Sequence, residues 1–171
     1  MSTRSIIAVQ HGDGFRGRYC HSDGYPEHNG RVLFDEVRAA GLGALSAFLS
    51  DEGRGAWGIS FLMPGFLSAP SEMPWDTDGG WGEFDVANYN HRVYRDRKGE
   101  SPTPWLTHAD TDLWGTEWCY VASAGGFSVG VVRWNGQTKT DSVEWLGFYG
   151  WAQTPEWGAL SAKAYEEAVA I

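Results

Sequence analysis

Two histidines and an aspartate lie close together near the amino terminus, in the stretch YCHSDGYPEHNG, Tyr19 to Gly30. Imidazole nitrogens and a carboxylate oxygen are suitable ligands for a borderline metal ion such as zinc. His21, Asp23 and His28 are therefore a candidate metal set. In a hydrolase, the metal would lower the pKa of a bound water. The spacing of the three residues matches no strong metal signature.

The same stretch also has a structural interpretation. Asp-Gly is a turn sequence, and Pro26 suits the first position of a helix, where its missing N–H is not needed. His21 would then pack beside Tyr19. A helix that begins here would also present free N–H groups to an anion such as phosphate, with help from Arg4 or Arg31.

A local concentration of basic residues follows later, in HRVYRDRKGE at residues 91–100. Guanidinium groups bind carboxylates and phosphates through paired hydrogen bonds. Arg92, Arg95 and Arg97 are therefore candidate ligand-binding residues. The alternative is a solvated turn with Arg–Asp pairs, which contribute little stability.

Ten tryptophans make this an indole-rich chain. Exposed tryptophans often form interfaces and ligand platforms, whereas buried ones fill a core. We expect the tryptophans on predicted strands and helices to be core residues, namely Trp118, Trp134, Trp145 and Trp157. Those in the loop-rich region are candidates for a ligand-facing surface, namely Trp75, Trp81 and Trp105.

Two acidic loops, WDTDGGWGE and THADTD, could share a divalent ion, although neither completes the spacing of a calcium loop. The common motifs of serine hydrolases, P-loop proteins, dinucleotide-binding proteins and zinc proteases are missing from the sequence. Cys20 and Cys119 have no histidine at a catalytic-motif spacing. The sequence thus favours a binding protein over an enzyme, and it predicts no cofactor.

The charge balance and the hydropathy restrict the partners. With 13 Lys and Arg against 22 Asp and Glu, the formal net charge is −9. Such a chain repels phosphate backbones on average, so general nucleic-acid binding is disfavoured. The first residues contain no apolar run of signal-peptide length, and no apolar run is long enough to span a membrane. We expect a cytoplasmic protein with reduced thiols.

The pattern of turns and apolar residues predicts an α+β fold in a single domain over residues 1–171. An amino-terminal hairpin and a carboxy-terminal hairpin with a third strand should form an antiparallel sheet. Two helices should follow Pro26, and a last helix should follow Thr154-Pro155. ISFLM at residues 59–63 is a candidate buried strand. Residues 64–115 form a long insertion rich in Trp, Gly and Pro.

The opening TRSIIAVQHGDG and the segment YCHSDGYPEHNGRVL resemble a family of small uncharacterised proteins from bacteriophages and their bacterial hosts. Members begin with a TRS strand and carry H-x-DGYP-x-x-x-G before a helix. Here these positions are Thr3, Arg4, Ser5, His21, Asp23, Gly24, Tyr25, Pro26 and Gly30. This chain has Ser22 where the pattern has Trp. The resemblance implies an intracellular, phage-related origin and no particular chemistry.

Three hypotheses for the function follow. The first is a non-enzymatic, phage-related accessory protein that binds a host protein or a small anionic, nucleotide-like ligand. The second is a metal-dependent hydrolase built on His21, Asp23 and His28. The third is a structural protein of the virion. The first is favoured, because arginines and loop tryptophans supply charge and stacking surface while catalytic motifs are missing.

Overall fold

The computed structural model describes residues 3–57, 59, 61–68 and 102–169, and its strands form one six-stranded sheet. The amino-terminal hairpin and the carboxy-terminal strands lie where the alternation of residues predicts them. The strands are β1 (Ser5–His11), β2 (Gly14–Cys20), β3 (Leu106–Thr107), β4 (Trp118–Ala122), β5 (Gly126–Asn135) and β6 (Thr140–Gly150). They are arranged in the order β3-β2-β1-β4-β5-β6.

The two hairpins join through a parallel pair, so the sheet is mostly but not wholly antiparallel. Strand β1 pairs in parallel with β4, from Ser5 opposite Trp118 to Val9 opposite Ala122. All the other strand pairs within the sheet are antiparallel. A parallel connection needs a long crossover, and the helices that follow β2 lie in this connection. The α+β class is as predicted.

The predicted helices are present, with one refinement at the first. A single π-helical turn, Pro26–Gly30, leads into α1 (Arg31–Ala40). Gly41 has a φ of 88°, a value that favours glycine, and it separates α1 from α2 (Leu42–Leu49). A short 3₁₀ turn and α3 complete the helices, at Arg54–Trp57 and Trp157–Val169. None of the helices in the described ranges has the length and apolar character to cross a membrane.

The strand predicted at residues 59–63 is not formed by the residues described there. Ile59 makes an isolated parallel bridge with Cys20, and its carbonyl accepts a hydrogen bond from the His21 N–H at 2.9 Å. Residues 61–63 have no regular structure. The insertion predicted at residues 64–115 is described only at its two ends.

The larger core lies between one face of the sheet and the helices. Trp118, Tyr120 and Phe127 extend across β4 and β5 with nearly parallel rings, inclined by 4° and 13° to their neighbours. Phe34 of α1 meets Phe127 edge-on at 5.5 Å between ring centroids. All four of these side chains are buried, which accounts for much of the apolar area removed from water.

A second, smaller core covers the centre of the opposite face. Phe15 of β2 is buried there with residues of β1 and β4 and with Leu106 and Leu113 from the connection before β4. The sheet is therefore covered on both faces at β1 and β4. This explains why these two strands are almost continuously apolar, without the alternation expected when one face is in water.

Arg18 is an unexpected member of the larger core, since its residue is 1% exposed. Its Nε donates to the Leu49 carbonyl at 3.1 Å, one terminal nitrogen donates to Asp51 at 2.6 Å, and the other donates to the Thr103 carbonyl. Burial lowers the pKa of Arg18, and the hydrogen bond that Arg18 donates to Asp51 opposes that shift. One guanidinium thus joins β2, the end of α2 and the chain before β3.

The stretch Tyr19–Gly30 is held by the amide of Asn29, which is completely buried. Its Nδ2 donates to the Ser22 carbonyl at 2.9 Å and lies 3.2 Å from Ser5 Oγ, and its Oδ1 accepts from the Leu62 N–H at 3.4 Å. A backbone carbonyl can only accept and a backbone N–H can only donate, so these partners fix which way the amide points. Asn29 therefore ties the end of β2 to the loop at residue 62.

The prediction that all four element-borne tryptophans are core residues is wrong for two of them. Trp118 is 2% exposed and Trp157 packs against the larger core, but Trp134 and Trp145 are 59% and 49% exposed. Both lie on the face of β5 and β6 that carries the smaller core, beyond the region which that core covers. A position on a strand therefore did not determine whether a tryptophan is buried.

Candidate functional site

Four side chains meet at the edge of the smaller core, where β1 begins and β2 ends: Arg4, Tyr19, His21 and Trp114. We call them the rim cluster. Arg4 immediately precedes β1, Tyr19 lies in β2, and His21 follows the end of β2. Trp114 comes from the turn before β4. Arg4, His21 and Trp114 are exposed to solvent, and Tyr19 is half-buried.

Tyr19 and His21 form the centre of the rim cluster. The Tyr19 hydroxyl lies 3.1 Å from Nδ1 of His21, and the two ring centroids are 6.0 Å apart. This contact agrees with the structural interpretation of His21. If the hydroxyl donates, Nδ1 is the unprotonated nitrogen and Nε2 carries the ring hydrogen. Burial raises the pKa of Tyr19, and Arg4 partly opposes the shift, so the phenol stays protonated at neutral pH.

Trp114 lies against Tyr19 on a turn of unusual backbone geometry. The two ring centroids are 5.9 Å apart, and the residue is 44% exposed. Its φ is 59°, in the left-handed region that large residues rarely adopt, and φ of Gly115 is 61°. The N–H of Trp114 donates to Oδ1 of Asp112 at 2.8 Å, which stabilises the turn. A strained position of this kind is enriched at functional sites.

Arg4 brings a positive charge to the same place. A Cβ added to Gly115 would lie 3.5 Å from Nη1 of Arg4, so the guanidinium is beside the turn that carries Trp114. The Arg4 carbonyl accepts hydrogen bonds from the N–H groups of Glu117 and Trp118, at 3.0 and 3.2 Å. Among the residues that the structure describes, Arg4 has no carboxylate partner for its side chain.

The predicted metal set is not brought together. Within the described ranges, no group of three or more His, Cys, Asp or Glu side chains is placed to hold a metal ion. His21 faces Tyr19, whereas Nδ1 of His28 lies 3.1 Å from Oδ1 of Asn29. Asp23 occupies the turn with a φ of 55°. These three residues instead define the path of the chain from β2 to α1.

The acidic loop THADTD also has a local structural role. Oδ2 of Asp110 accepts hydrogen bonds from the N–H and hydroxyl of Thr107, at 2.6 and 2.8 Å. Asp112 accepts from the N–H of Trp114. Such bonds from short acidic side chains to nearby backbone donors are typical of turns. The other acidic loop, WDTDGGWGE, lies outside the described residues.

The helix beginning near Pro26 does not present the free N–H groups that an anion site would need. The N–H groups of His28 and Gly30 both donate to the Tyr25 carbonyl, at 3.1 and 3.3 Å, and that of Asn29 donates to Asp23 at 3.2 Å. These donors are satisfied by the π-helical turn itself. The bonds made by these three N–H groups argue against an anion at this helix start, and that site stays a prediction. Arg31 is the exposed first residue of α1, and Arg4 contributes to the rim cluster instead.

Trp105 is not an open platform, because two arginines cover its ring. The guanidinium carbons of Arg16 and Arg18 lie 3.9 and 3.6 Å from the centroid of the indole. Side chains two residues apart on a strand are separated by about 7 Å, which leaves room for one aromatic ring between them. Trp105 is thus packed by cation–π contacts. The other predicted ligand residues lie outside the described ranges, namely Trp75, Trp81, Arg92, Arg95 and Arg97.

Neither thiol is suited to nucleophilic chemistry. Cys20 and Cys119 are both free and completely buried. Burial raises the pKa of Cys20 to about 12 and raises that of Cys119 further. Since the thiolate is the reactive form of cysteine, both side chains act here as small apolar core residues.

Comparison of the chain with protein-family models, curated proteins and solved structures found no match. The resemblance to the phage and bacterial family therefore stays a prediction from the sequence. The chemistry of the described side chains is what supports a function. In the rim cluster, that chemistry is one guanidinium, one phenol, one imidazole and one exposed indole.

Proposed function

We propose that this protein is a non-enzymatic binding protein, and that the rim cluster binds a small anion that carries an aromatic ring, such as a nucleotide. One observation carries the proposal: the guanidinium of Arg4, without a carboxylate partner in the described residues, lies beside Gly115, the residue that follows the exposed Trp114. A ligand that carries both an anionic group and an aromatic ring would contact Arg4 and Trp114 at once.

Each side chain of the rim cluster has a distinct role in this proposal. Arg4 forms paired hydrogen bonds to a phosphate or carboxylate. Tyr19 packs against both Trp114 and His21, and its hydroxyl contact fixes the position of the imidazole at the cluster. Trp114 offers its ring for stacking, which contributes about 1–3 kcal/mol for a nucleobase on an aromatic side chain. The net charge of −9 would repel a long polyanion, but a single phosphate can still bind beside one local positive charge.

The resemblance to the phage and bacterial family adds the setting. It supports an accessory protein in the cytoplasm of the host cell, where nucleotides are abundant. A host protein remains the other partner in that setting. The small ligand is favoured because the rim cluster combines one cation with one stacking surface, which is the pattern expected of a nucleotide subsite.

The proposal is tested with a panel of nucleoside mono- and diphosphates and with inorganic phosphate as the probe without a ring. We expect at least one nucleotide to raise Tm and to quench tryptophan fluorescence, and phosphate alone to bind more weakly. Arg4→Ala should weaken nucleotide binding at least tenfold. Trp114→Gly should do the same, and because glycine accepts a positive φ, the relief of strain should offset part of the packing lost with the indole.

Two control variants make the test specific. Arg31→Ala removes an exposed arginine from α1, and Trp134→Ala removes an exposed indole from β5, so both should bind like the wild type. The proposal fails if no nucleotide binds. It also fails if the Arg4 and Trp114 variants bind as tightly as these two controls.

A further inference from the structure

A groove with a different chemistry lies at the other end of β1, on the same face of the sheet as the rim cluster. It has a volume of about 460 Å³, within the range of about 300–1,000 Å³ that is usual for ligand sites. It runs from the turn between β1 and β2, near Asp13, across the ends of β4 and β5 to β6. Its distance from Arg4 is roughly the length of β1, on the order of 20 Å.

Two exposed aromatic side chains of β6 form one wall of the groove. Trp145 is 49% exposed and Phe148 is 59% exposed, although both lie in a strand. Residues three apart on a regular strand point to opposite faces. A β-bulge changes this: Val129 is opposite Gly147 while Gly130 is opposite Trp145, so Leu146 is the extra residue. The bulge thus places Trp145 and Phe148 on the same face.

Glycines of β5 make room for both rings. A Cβ added at Gly130 would lie 2.9 Å from Cε3 of Trp145, and one added at Gly126 would lie 2.8 Å from Cζ of Phe148. Phe15 also contacts Trp145 edge-on, at 6.2 Å between centroids and an interplanar angle of 86°. The two rings therefore have defined positions before any ligand arrives, which lowers the entropic cost of binding.

Polar groups surround the aromatic wall. Gln10, Asp13 and Ser128 line the groove, and in the described part of the chain their side chains make no hydrogen bond or ion pair. An amide, a carboxylate and a hydroxyl are thus available as donors and acceptors. No Lys, Arg or His is among the described residues that line the groove. The one charged side chain among the described lining residues is Asp13, so the lining does not favour an anionic ligand.

We propose that this groove binds a saccharide. A pyranose ring has one face of C–H groups and a rim of hydroxyls. The C–H face would pack on Trp145 and Phe148, since the electron-rich face of an aromatic ring attracts weakly positive hydrogens. The hydroxyls would exchange hydrogen bonds with Gln10, Asp13 and Ser128. This site is separate from the rim cluster and does not depend on the function proposed for it.

The test is a printed array of mono- and oligosaccharides probed with the labelled protein, followed by fluorescence titration of each saccharide that binds. We expect a defined subset of saccharides to bind. Trp145→Ala and Phe148→Ala should each weaken that binding at least tenfold. Asp13→Asn keeps the shape and removes the charge, so it should have a smaller effect on a neutral sugar.

Trp134→Ala is the matched control. Trp134 lies on β5 and is 59% exposed, but it does not line the groove. It should bind like the wild type, and urea midpoints should confirm that every variant folds. The proposal is overturned if no saccharide binds, or if Trp134→Ala and Trp145→Ala lose binding equally. It is also overturned if tetramethylammonium binds at Trp145 and saccharides do not. The groove would then bind a cation, with Asp13 as the opposite charge. Nucleotide binding at the rim cluster should be unchanged in all these variants.

Discussion

Replacing Asn29 by aspartate changes one buried NH₂ group into an oxygen and leaves the shape of the side chain unaltered. In the native protein this NH₂ donates to the Ser22 carbonyl at 2.9 Å, and the amide oxygen accepts from the Leu62 N–H at 3.4 Å. In the Asn29→Asp variant the first contact becomes oxygen against oxygen. The second is retained, so the perturbation is confined to one side of the residue.

The expected destabilisation has two parts. Leaving the buried Ser22 carbonyl without its donor costs about 1–3 kcal/mol at any pH. Burying the new carboxylate adds a cost that depends on pH, because burial raises the folded-state pKa of the carboxyl above its unfolded value of about 3.9. Since the group can take up a proton instead, this second part cannot exceed about 1.36 kcal/mol per pH unit above 3.9. The limit is about 4 kcal/mol at pH 7.

The sign of the pH dependence follows from the raised pKa. Well below a pH of about 3.9 the carboxyl is protonated in both states, so the variant should be closer to the wild type at pH 4 than at pH 7. As the pH rises towards the folded-state pKa, the unfolded chain loses the proton first, and the free energy of unfolding falls. Urea unfolding followed by tryptophan fluorescence, at pH 4 and pH 7, measures the difference between variant and wild type at each pH.

Asn29→Ala is the control, because it removes the same hydrogen bonds without adding a charge. Its destabilisation should therefore depend less on pH than that of Asn29→Asp. The reasoning is refuted if Asn29→Asp costs less than about 1 kcal/mol, below the cost of one unsatisfied buried group. A cost that is no larger at pH 7 than at pH 4 would refute it equally.

The remaining predictions concern other buried polar groups. Tyr120→Phe removes the hydroxyl that donates to the Gly24 carbonyl at 2.6 Å, and it should cost about 1–3 kcal/mol in urea unfolding. A cost near zero would mean that the bond does not hold the turn to β4. Cys20 and Cys119 should react with a thiol reagent only after unfolding, and rapid reaction of the native protein would contradict their burial. Because their pKa values are raised from 9.0, stability should be fully present below pH 9 and decline above it, by up to about 1.4 kcal/mol per pH unit for each thiol. In Cys119→Ala the decline should be shallower, and an equal decline would show that other groups cause it.

Local sequence signals predicted most of the elements, because turns and strand alternation depend on near neighbours. The Asp-Gly signal marks the first hairpin as expected, with Gly12 and Asp13 in the turn, and Gly41 separates two helices where the helical spacing breaks. The final helix begins soon after Pro155. The strand expected at residues 59–63 is not formed by the residues described there. An apolar run of that length suits an irregular buried segment as well as a strand, so the local sequence did not distinguish the two.

The candidate site was only half visible in the sequence. Arg4 and His21 were predicted as ligand residues, but for other sites: Arg4 for a helix start and His21 for a metal. Tyr19 and Trp114 were not predicted to join them, because β1, β2 and the turn before β4 meet only in the folded sheet. The residues around Trp114 did carry one signal, since the Gly after it marks a turn that favours a positive φ.

The sequence by itself determined the α+β class, the two hairpins and the approximate positions of the helices, because these depend on residue spacing over short distances. Only the tertiary structure decided the parallel joint between β1 and β4 and the burial of Arg18. The exposure of Trp134 and Trp145 was decided in the same way. Each of these depends on which distant segment covers a given face of the sheet. Residue type does not encode that coverage, because the same Trp or Arg is stable in either environment once its neighbours supply apolar contact or hydrogen bonds.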